Sequence, residues 1–467
     1  MKIRIAPFHF SRLAGAALLL LAASCGPGYL NRPKNDLRLS LEMRALNTNP
    51  RAESFLLPVI APGQEDRPRA KVVKHEILST NGYFVGLAIS GGGSRSANFA
   101  AACMFQLQRI GFLQYVQCIS SVSGGSLVST YYCCSPDSDW NAQNVQQKLT
   151  TEFETTVIDK ILLPWNFLGL LIGTVNRSDM LANEFQNSLF YRNGRALTFA
   201  DLRHDRPRLL LNCTDMQTGR PFLFDNSNFD LINSDLNRYP LAAAVTASSA
   251  VPAILEPITL RDYSTTFPQF QHLVDGAVVD NLGVQTLVNS YAAESESPEN
   301  PYPNGAILVV IDSGTSSNLR LGSKARLGGV ENLLEGLSLS SAVLLNRTGN
   351  ATLSNVLVQG ALGDYTINDL RNFIEQLRSD HYVEVKDRGG RLVRVVHLSL
   401  SQIGELGGAE FGNSVNAIST KFDISPTDAF NLYRSAVILF RARFDARLAP
   451  LVHELGRHST TRQSSGQ

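Results

Sequence analysis

A short apolar run followed by three glycines is the feature that most limits what this chain can fold into. Residues 84–98 read Phe-Val-Gly-Leu-Ala-Ile-Ser-Gly-Gly-Gly-Ser-Arg-Ser-Ala-Asn. The run predicts a buried strand at 84–90, and the apolar spacing after the glycines predicts a helix at 97–110. A strand that turns through glycines into a helix aims several backbone N–H groups at one space, where negative charge is stabilised. The segment therefore predicts an anion-binding turn in an α/β fold.

Further apolar runs predict a parallel sheet. The predicted strands are 115–121, 208–212, 221–224, 271–274 and 306–311, with helical patterns between several of them. Strands that are apolar throughout belong to mainly parallel sheets that helices cover on both faces. We therefore expect a three-layer α/β/α fold. Beyond residue 316 we expect mostly helical structure, with one hairpin around 387–390 and a helix that begins after Ser425.

Composition narrows the function class. Of 467 residues, 44% are hydrophobic and 18% are charged, which is ordinary for a globular protein. A formal charge of +1 and the lack of a basic run argue against nucleic acid as a partner. The six cysteines show no disulfide or zinc spacing, and no clustered ligand set indicates a metal. We expect no cofactor.

The N-terminus has the pattern of a secretory signal. Three basic residues precede an apolar run of 11 residues, 13–23, which is too short to cross a bilayer. Small residues then lead to Cys25, as in a bacterial lipobox, although Leu21 stands four residues before the cysteine where three is usual. We expect residues 1–24 to be a signal peptide, Cys25 to be lipidated and 25–79 to be a tether. The expected location is the bacterial cell envelope, on the periplasmic side of the outer membrane, with plain secretion to the periplasm as the alternative.

A second strand-to-helix turn carries a candidate nucleophile. Ser123 lies in Ser121-Val122-Ser123-Gly124-Gly125, directly after the predicted strand at 115–121. The pattern resembles the Gly-x-Ser-x-Gly elbow, in which small neighbours allow a serine to occupy a strained turn. Ser121 replaces the first glycine. Serine- and glycine-rich turns are common, so the pattern alone favours a structural turn over a catalytic one.

A serine nucleophile needs a base, and the sequence offers two kinds. His381, His397 and His453 follow Ser123, as the histidine does in a Ser–Asp–His triad. The other candidate is Asp275, which follows an apolar strand and precedes Gly276-Ala277. Active sites gather at the carboxyl ends of strands in open parallel sheets. Taken alone, Asp275 is more typical of a turn or helix cap.

Several motifs together resemble the patatin-like phospholipases. In order along the chain they are Gly91-Gly92-Gly93-Ser94-Arg95, Ser123 in Ser-x-Ser-Gly-Gly, Asn212-Cys213-Thr214-Asp215, the block at 246–254 and Asp275-Gly276-Ala277. The resemblance spans about residues 83–315. It implies a patatin-like catalytic domain at 80–315, and we expect 316–467 to be an extension packed on it.

The resemblance also implies roles for the residues. Ser123 would be the nucleophile and Asp275 the base, while Gly91, Gly92, Gly93 and Ser94 would supply the oxyanion hole. Arg95 would contact an anionic head group or, equally, pair with a nearby carboxylate. The implied activity is hydrolysis of phospholipid or other acyl-ester lipids at a membrane surface. An α/β-hydrolase esterase with a histidine base and a non-enzymatic lipid-binding envelope lipoprotein are the alternatives.

Overall fold

A mixed sheet of nine strands forms the centre of the protein. The computed structural model describes residues 30–34, 79–161, 176–252, 254–315 and 366–457. The strands of the sheet are β1 (Tyr83–Ile89), β2 (Cys118–Val122), β5 (Arg208–Asp215), β6 (Pro221–Leu223), β7 (Ile258–Asp262), β8 (Gln269–Asp275), β9 (Gly305–Asp312), β10 (Tyr382–Lys386) and β11 (Leu392–Ser399). The short pair β3 (Tyr191–Arg192) and β4 (Arg195–Ala196) forms a separate ribbon.

The strand order is β10-β11-β9-β1-β2-β5-β8-β7, with β6 paired to β5. Strands β11, β9, β1, β2 and β5 run parallel to one another, whereas β10, β6, β8 and β7 are antiparallel to their neighbours. The expectation of a mainly parallel central sheet is confirmed. The antiparallel direction of β8 and β7 at one side of the sheet was not predicted.

Helices cover both faces of this sheet. They are α1 (Gly93–Arg109), α2 (Gly124–Cys134), α3 (Ala142–Leu149), α4 (Phe153–Ile161), α5 (Arg177–Leu189), α6 (Asn226–Leu231), α7 (Leu241–Ser248), α8 (Val284–Ser295), α9 (Ile367–Ser379), α10 (Ile403–Leu406), α11 (Ala409–Asn416), α12 (Pro426–Leu439) and α13 (Asp445–Gly456).

Strand β1 shows why two layers of helices form. Its side chains alternate between two cores: Val85, Leu87 and Ile89 pack with α1, α2 and α12, whereas Phe84 and Ala88 pack with α8 and α9. A strand that is apolar on both faces must bury both. The three-layer α/β/α architecture follows, and it places the strand-to-helix turns after β1 and β2 at the carboxyl edge of the sheet.

The chain beyond residue 366 returns to the sheet. The predicted hairpin is β10–β11, and β11 pairs in parallel with β9 from Leu392–Gly305 to Ser399–Asp312. The helix predicted after Ser425 is α12, in which Ser425 Oγ accepts from the Asp428 N–H at 3.0 Å and Pro426 occupies the first turn. The domain division at 315 stays a prediction.

Several N-terminal predictions concern residues outside the described ranges. These are the signal peptide at 1–24, the lipidation site Cys25 and all but a few residues of the tether at 25–79. Among the helices that the structure describes, none has the length and apolar character needed to cross a bilayer. The five cysteines after Cys25 are buried, and none of them forms a disulfide in the described residues.

Candidate active site

Ser123 occupies the turn between β2 and α2 in a backbone conformation that side chains rarely adopt. Its φ and ψ are 51° and −123°. A residue other than glycine with positive φ stores strain of about 1–3 kcal/mol, and such residues cluster at functional sites. The side chain is 4% exposed. The turn therefore has the geometry of a nucleophile elbow.

The neighbours of Ser123 explain its Ser-x-Ser-Gly-Gly pattern. A Cβ atom at Gly124 would lie 1.9 Å from the carbonyl oxygen of Gly93, and one at Gly125 would lie 2.7 Å from that of Ser90. Both positions therefore require glycine. Ser121 is not among the described residues with positive φ, and its Oγ lies 2.7 Å from Ser129 Oγ. The first glycine of the usual elbow pattern is thus dispensable here, because the backbone at Ser121 is ordinary strand.

Ser248, the last residue of α7, fixes the backbone of the Ser123 turn through hydrogen bonds. The Ser123 N–H donates to Ser248 Oγ at 3.0 Å, and Ser248 Oγ donates to the Asn212 carbonyl at 2.7 Å. Ser126 Oγ also lies 2.9 Å from Ser248 Oγ. In the sequence, Ser248 stands out only as part of the block at 246–254. Its role in positioning Ser123 becomes visible only in three dimensions.

Asp275 lies one strand away from Ser123. Val122 pairs with Asn212, and the adjacent Cys213 pairs with Asp275 across β5 and β8. The Asp275 backbone N–H donates to the Ala250 carbonyl at 2.9 Å, two residues after Ser248. The block at 246–254 therefore fixes both the nucleophile elbow and the end of β8, which explains why its small residues accompany the other motifs.

The Asp275 carboxyl group is buried and only half satisfied. Oδ1 accepts from the Ala277 N–H at 2.8 Å, while Oδ2 has no hydrogen-bond partner among the described residues. Burial raises the pKa of this carboxyl to about 7, although the Ala277 N–H and the Ser123 hydroxyl each lower it. A buried carboxyl with a pKa near 7, whose titration is influenced by a serine side chain, is suited to general base catalysis.

The glycine-rich turn between β1 and α1 lies against the elbow. A Cβ atom at Gly91 would lie 3.3 Å from Ser123 Cβ, and the backbone of Gly93 meets Gly124. Gly92 and Gly93 have φ values of 136° and 57°, which favour glycine. This close packing brings the backbone N–H groups of the turn to the side of the nucleophile.

Only part of this turn is free to bind an anion. The Gly91 N–H donates to the Asn281 carbonyl at 2.9 Å, and the Ser94 N–H donates to the Lys421 carbonyl at 2.8 Å. Within the described residues, the N–H groups of Gly92 and Gly93 have no acceptor. Of the four residues predicted for the oxyanion hole, these two are available and the other two are engaged in holding the turn.

Arg95 faces the protein interior. Its side chain is buried, and Nη1 donates to the Ile418 carbonyl at 2.9 Å. Burial lowers the pKa of Arg95 to about 10, and the charge of Asp312 opposes this shift. In this conformation the guanidinium neighbours a carboxylate and a backbone carbonyl. Contact with a lipid head group, the other role considered for Arg95, would require this buried side chain to become exposed.

The candidate histidine bases lie elsewhere. His397 Nε2 is 3.0 Å from Asp312 Oδ2, the His381 ring is 5.8 Å from the His397 ring, and His453 Nδ1 accepts from Arg457. None of the described histidines is hydrogen-bonded to Ser123. This arrangement favours the carboxylate over histidine as the base.

Asp312 forms a second charged group behind the glycine-rich turn. Burial raises the pKa of its carboxyl, but the hydrogen bond from His397, the Gly314 N–H and the charge of Arg95 together hold it below its usual value. The next residue, Ser313, donates from Oγ to the Gly91 carbonyl at 2.8 Å. The sequence showed Asp312 only as a strand-end residue, although its place after a parallel strand was a usable signal.

A cavity of about 410 Å³ lies beside the outer edge of β5. Its wall includes Asn212, Cys213 and Gly276 but neither Ser123 nor Asp275. No group of three His, Cys, Asp or Glu side chains suited to a metal ion occurs in the described ranges. Ser123, Asp275, Gly92 and Gly93 supply the types of group that acyl transfer uses: a hydroxyl, a carboxyl group and N–H donors.

Comparison with known proteins agrees with the resemblance seen in the motifs. A family model described as patatin-like phospholipase matches residues 87–288. That range includes the glycine-rich turn, the elbow, the block at 246–254 and Asp275. The predicted resemblance to this family is therefore confirmed. A comparison with curated proteins finds no match.

Solved structures show a weaker likeness. Human GIVD cytosolic phospholipase A2 is 11% identical with a TM-score of 0.46, and the match covers 81% of this chain and 61% of that one. VipD from Legionella pneumophila is 12% identical with a TM-score of 0.33, and the match covers 77% and 67%. The chain thus spans about three fifths of the length of the human enzyme that it matches. Likenesses this weak establish neither activity nor substrate.

Proposed function

We propose, on the premise that residues 87–288 form a patatin-like phospholipase domain, that this protein is a lipid acyl hydrolase with a Ser123–Asp275 dyad. One observation carries the proposal. Ser123 sits in a strained elbow, one strand from a buried carboxyl group whose Oδ2 is free among the described residues. The substrate class is an acyl ester of a lipid, of the phospholipase A or lysophospholipase type.

The first half of the reaction acylates Ser123. Its Oγ attacks the ester carbonyl carbon as its proton passes to Asp275. The negative charge that forms on the carbonyl oxygen is received by the N–H groups of Gly92 and Gly93, and one such donor is worth about 3 kcal/mol in the transition state. When the tetrahedral intermediate collapses, the ester C–O bond breaks and the Asp275 proton goes to the leaving alkoxide.

The second half releases the fatty acid. Asp275, again a carboxylate, removes a proton from water, and the resulting hydroxide bonds to the acyl carbon. The same N–H groups stabilise the second oxyanion. Collapse breaks the bond to Ser123 Oγ, which takes the proton back from Asp275. The sum is ester plus water giving alcohol and acid, without any cofactor.

Exchange of either dyad residue tests the proposal. Ser123→Ala and Asp275→Asn are each expected to lower hydrolysis of phosphatidylcholine and of a soluble short-chain ester by about 10⁴-fold or more, because removal of a nucleophile or of its base has effects of this size. A fluorophosphonate probe is expected to label the native protein but not the Ser123→Ala variant.

Ser121→Ala is the matched control, since it removes a buried hydroxyl two residues away without touching the elbow backbone. Its activity is expected to stay within about tenfold of native, because its hydroxyl bonds to the Ser129 and Ser126 hydroxyls and makes no hydrogen bond to Ser123. Folded Ser123→Ala or Asp275→Asn protein that keeps native activity would refute the dyad. Loss on exchange of His381, His397 or His453, with Asp275→Asn still active, would favour the histidine-based esterase.

We further propose that the protein acts at the membrane that anchors it. The support is the signal-like N-terminus with Cys25 after small residues, together with a lipid substrate class. Under this proposal the enzyme lies in the bacterial cell envelope, attached through Cys25.

A further inference from the structure

Exposed apolar side chains concentrate at one end of the molecule. The described residues include eight large hydrophobic side chains that are strongly exposed, and five of them lie around the β7–β8 hairpin: Leu30, Met216, Leu231, Phe267 and Phe270. We call these five the apolar surface. Phe267 is 81% exposed and Leu231 is 74% exposed. A cluster of this kind on a solvent-facing surface marks a site of interaction.

Hydrogen bonds join the segments that carry these side chains. The Met216 N–H donates to the His272 carbonyl at 2.8 Å, which ties the β5–β6 turn to β8. The Tyr263 N–H donates to the Ile232 carbonyl at 2.9 Å, which brings Leu231 to the end of β7. Tyr263 also donates from its hydroxyl to the Asn31 carbonyl at 2.8 Å, next to Leu30. The five side chains therefore belong to one region of the surface.

The apolar surface lies on the side of the sheet where the active site is. Ser123 follows Val122, which pairs with Asn212, and Asp275 pairs with Cys213. Strand β8 runs antiparallel to β5, so from Asp275 back toward Gln269 it passes the carboxyl end of β5. The distance along β8 between these two residues is about 20 Å at the usual rise per residue. The hairpin tip with Phe267 thus projects from the carboxyl edge of the sheet, the edge that bears the dyad.

The segment at 30–34 limits how far the proposed anchor can lie from the hairpin. Asn31 is held on the hairpin, where its Nδ2 donates to the Arg261 carbonyl at 2.8 Å and its Oδ1 accepts from the Arg261 N–H at 2.9 Å. Cys25 precedes Leu30 by five residues, which span at most about 18 Å. A lipid on Cys25 would therefore hold the hairpin end of the protein at the bilayer. A lipid chain and an apolar protein surface act together in stable membrane attachment.

We propose that the apolar surface inserts into the lipid surface that anchors the protein, so that the dyad faces the membrane that supplies its substrate. The occupant is a bilayer, because a lipid on Cys25 would be tethered within about 18 Å of Leu30, one of the exposed side chains. The assignment rests on the proposed lipid hydrolase function for its substrate and on Cys25 for its anchor. It adds the surface through which the site meets the bilayer.

Tryptophan fluorescence in vesicles tests the contact directly. Phe267→Trp and Phe430→Trp are made in the full chain, each protein is reconstituted as the lipidated form into phosphatidylcholine vesicles, and quenching by brominated phosphatidylcholine is measured. Phe430 is the matched control, since it is 61% exposed but lies on α12. Brominated lipid is expected to quench the Phe267→Trp signal strongly and to leave the Phe430→Trp signal at the native background. Equal quenching at both positions, or none at position 267, would overturn the proposal.

A kinetic experiment separates this proposal from the function on which it rests. The double variant Leu231→Ala/Phe267→Ala is expected to hydrolyse vesicle phospholipid about tenfold more slowly, since removal of one buried phenylalanine from lipid is worth at least this factor. Its rate on a soluble short-chain ester is expected to be native, because neither residue touches the dyad. Native rates on vesicles would overturn the membrane contact. If native protein hydrolyses neither ester while position 267 is still quenched, the hydrolase function fails and the membrane contact stands.

Two further measurements check the anchor and the oligomeric state. Fatty-acid labelling of native protein, absent in Cys25→Ser, verifies the anchor in the same preparation. Light scattering shows whether the double variant changes oligomeric state. Loss of a dimer together with unchanged vesicle hydrolysis would assign the apolar surface to a second copy of the chain, contrary to the proposal.

Discussion

The nucleophile elbow and the glycine-rich turn lie in contact, yet they are held in different ways. Ser123 is fixed by Ser248 and by the carbonyl that Ser248 binds, and these contacts lie within residues 87–288. The glycine-rich turn is fixed by the Gly91 N–H to a carbonyl within that range, but also through Ser94 and Arg95 to the carbonyls of Lys421 and Ile418, far beyond it. The contacts that fix the proposed nucleophile thus lie in the range that the family model matches, whereas those that fix the proposed oxyanion donors also involve the C-terminal part of the chain.

The largest effect that probes this difference is expected from Gly93→Ala. Its Cβ would lie 2.1 Å from the Thr420 carbonyl oxygen and 2.5 Å from that of Lys421, at a φ of 57°. The turn or the C-terminal segment must shift, so the Gly93 donor is misplaced. We expect activity on a soluble ester to fall about 10²–10³-fold, the cost of losing one oxyanion donor.

Gly219→Ala is the control for the backbone cost in that experiment. Gly219 has a φ of 65°, but nothing lies within 4 Å of its added Cβ. The Gly219→Ala variant is expected to lose some thermal stability but to keep native activity. If Gly93→Ala stays as active as Gly219→Ala, the C-terminal segment does not set the oxyanion hole, and the contrast between the two regions disappears.

On the elbow side, a smaller effect is expected from Ser248→Ala. This change leaves the Ser123 N–H without its acceptor and frees the strained turn to relax, so kcat is expected to fall about 10–100-fold with little change in KM. Ser249→Ala is a matched control, because Ser249 Oγ is also buried but accepts no bond from the elbow and donates to the Val245 carbonyl. Equal losses in the two variants would mean that Ser248 supports only packing.

The smallest expected effect is the dependence of activity on pH, which follows from the ionisation of Asp275. The base must be a carboxylate, and its pKa is raised to about 7 by burial, so activity is expected to rise to a plateau above that pH and to be about tenfold lower one pH unit below it. A profile of kcat/KM that stays flat down to pH about 5 would contradict this assignment of the base.

The same carboxyl group makes stability depend on pH. Its folded pKa lies above the unfolded value of 3.8, so the stabilisation from the neutral form is complete below that value and is lost as pH rises through about 7. Asp275→Asn cannot ionise. Its melting temperature relative to native protein is therefore expected to increase between pH about 4 and 8, by an amount equivalent to about 1.4 kcal/mol for each unit of pKa shift. A constant difference would show that Asp275 titrates normally.

Much of this site could be predicted because the residues next to each site residue in the sequence already indicate its local structure. Gly124 and Gly93 are glycines where the backbone allows no Cβ, and the strands before them are apolar throughout. Asp275 could be placed because it ends a strand in the right order along the chain. Ser121 shows the limit of motif matching, since the pattern required glycine there but the backbone did not.

The features that could not be predicted depend on contacts between segments that are far apart in the sequence. Nothing local in Ile418 or Lys421 indicates that their carbonyls hold Arg95 and Ser94. The segment 382–399 was predicted to form a hairpin. The spacing of its residues does not determine that β11 pairs with β9, or in which register. The antiparallel direction of β8 likewise follows from how β5 and β8 meet, and this places Asp275 beside Ser123.

The position of β9 between β1 and β11 also determines when the protein can fold. Strand β1 leaves the ribosome before its neighbours on this side, because its partner β9 ends at Asp312 and the outer neighbour of that partner, β11, ends at Ser399. Pairings across such sequence separations form slowly, and an unpaired apolar strand is prone to aggregation while it waits. The carbonyl that fixes Ser94 belongs to Lys421. The glycine-rich turn is therefore specified by residues 91–93 but completed only after residue 421 has been synthesised.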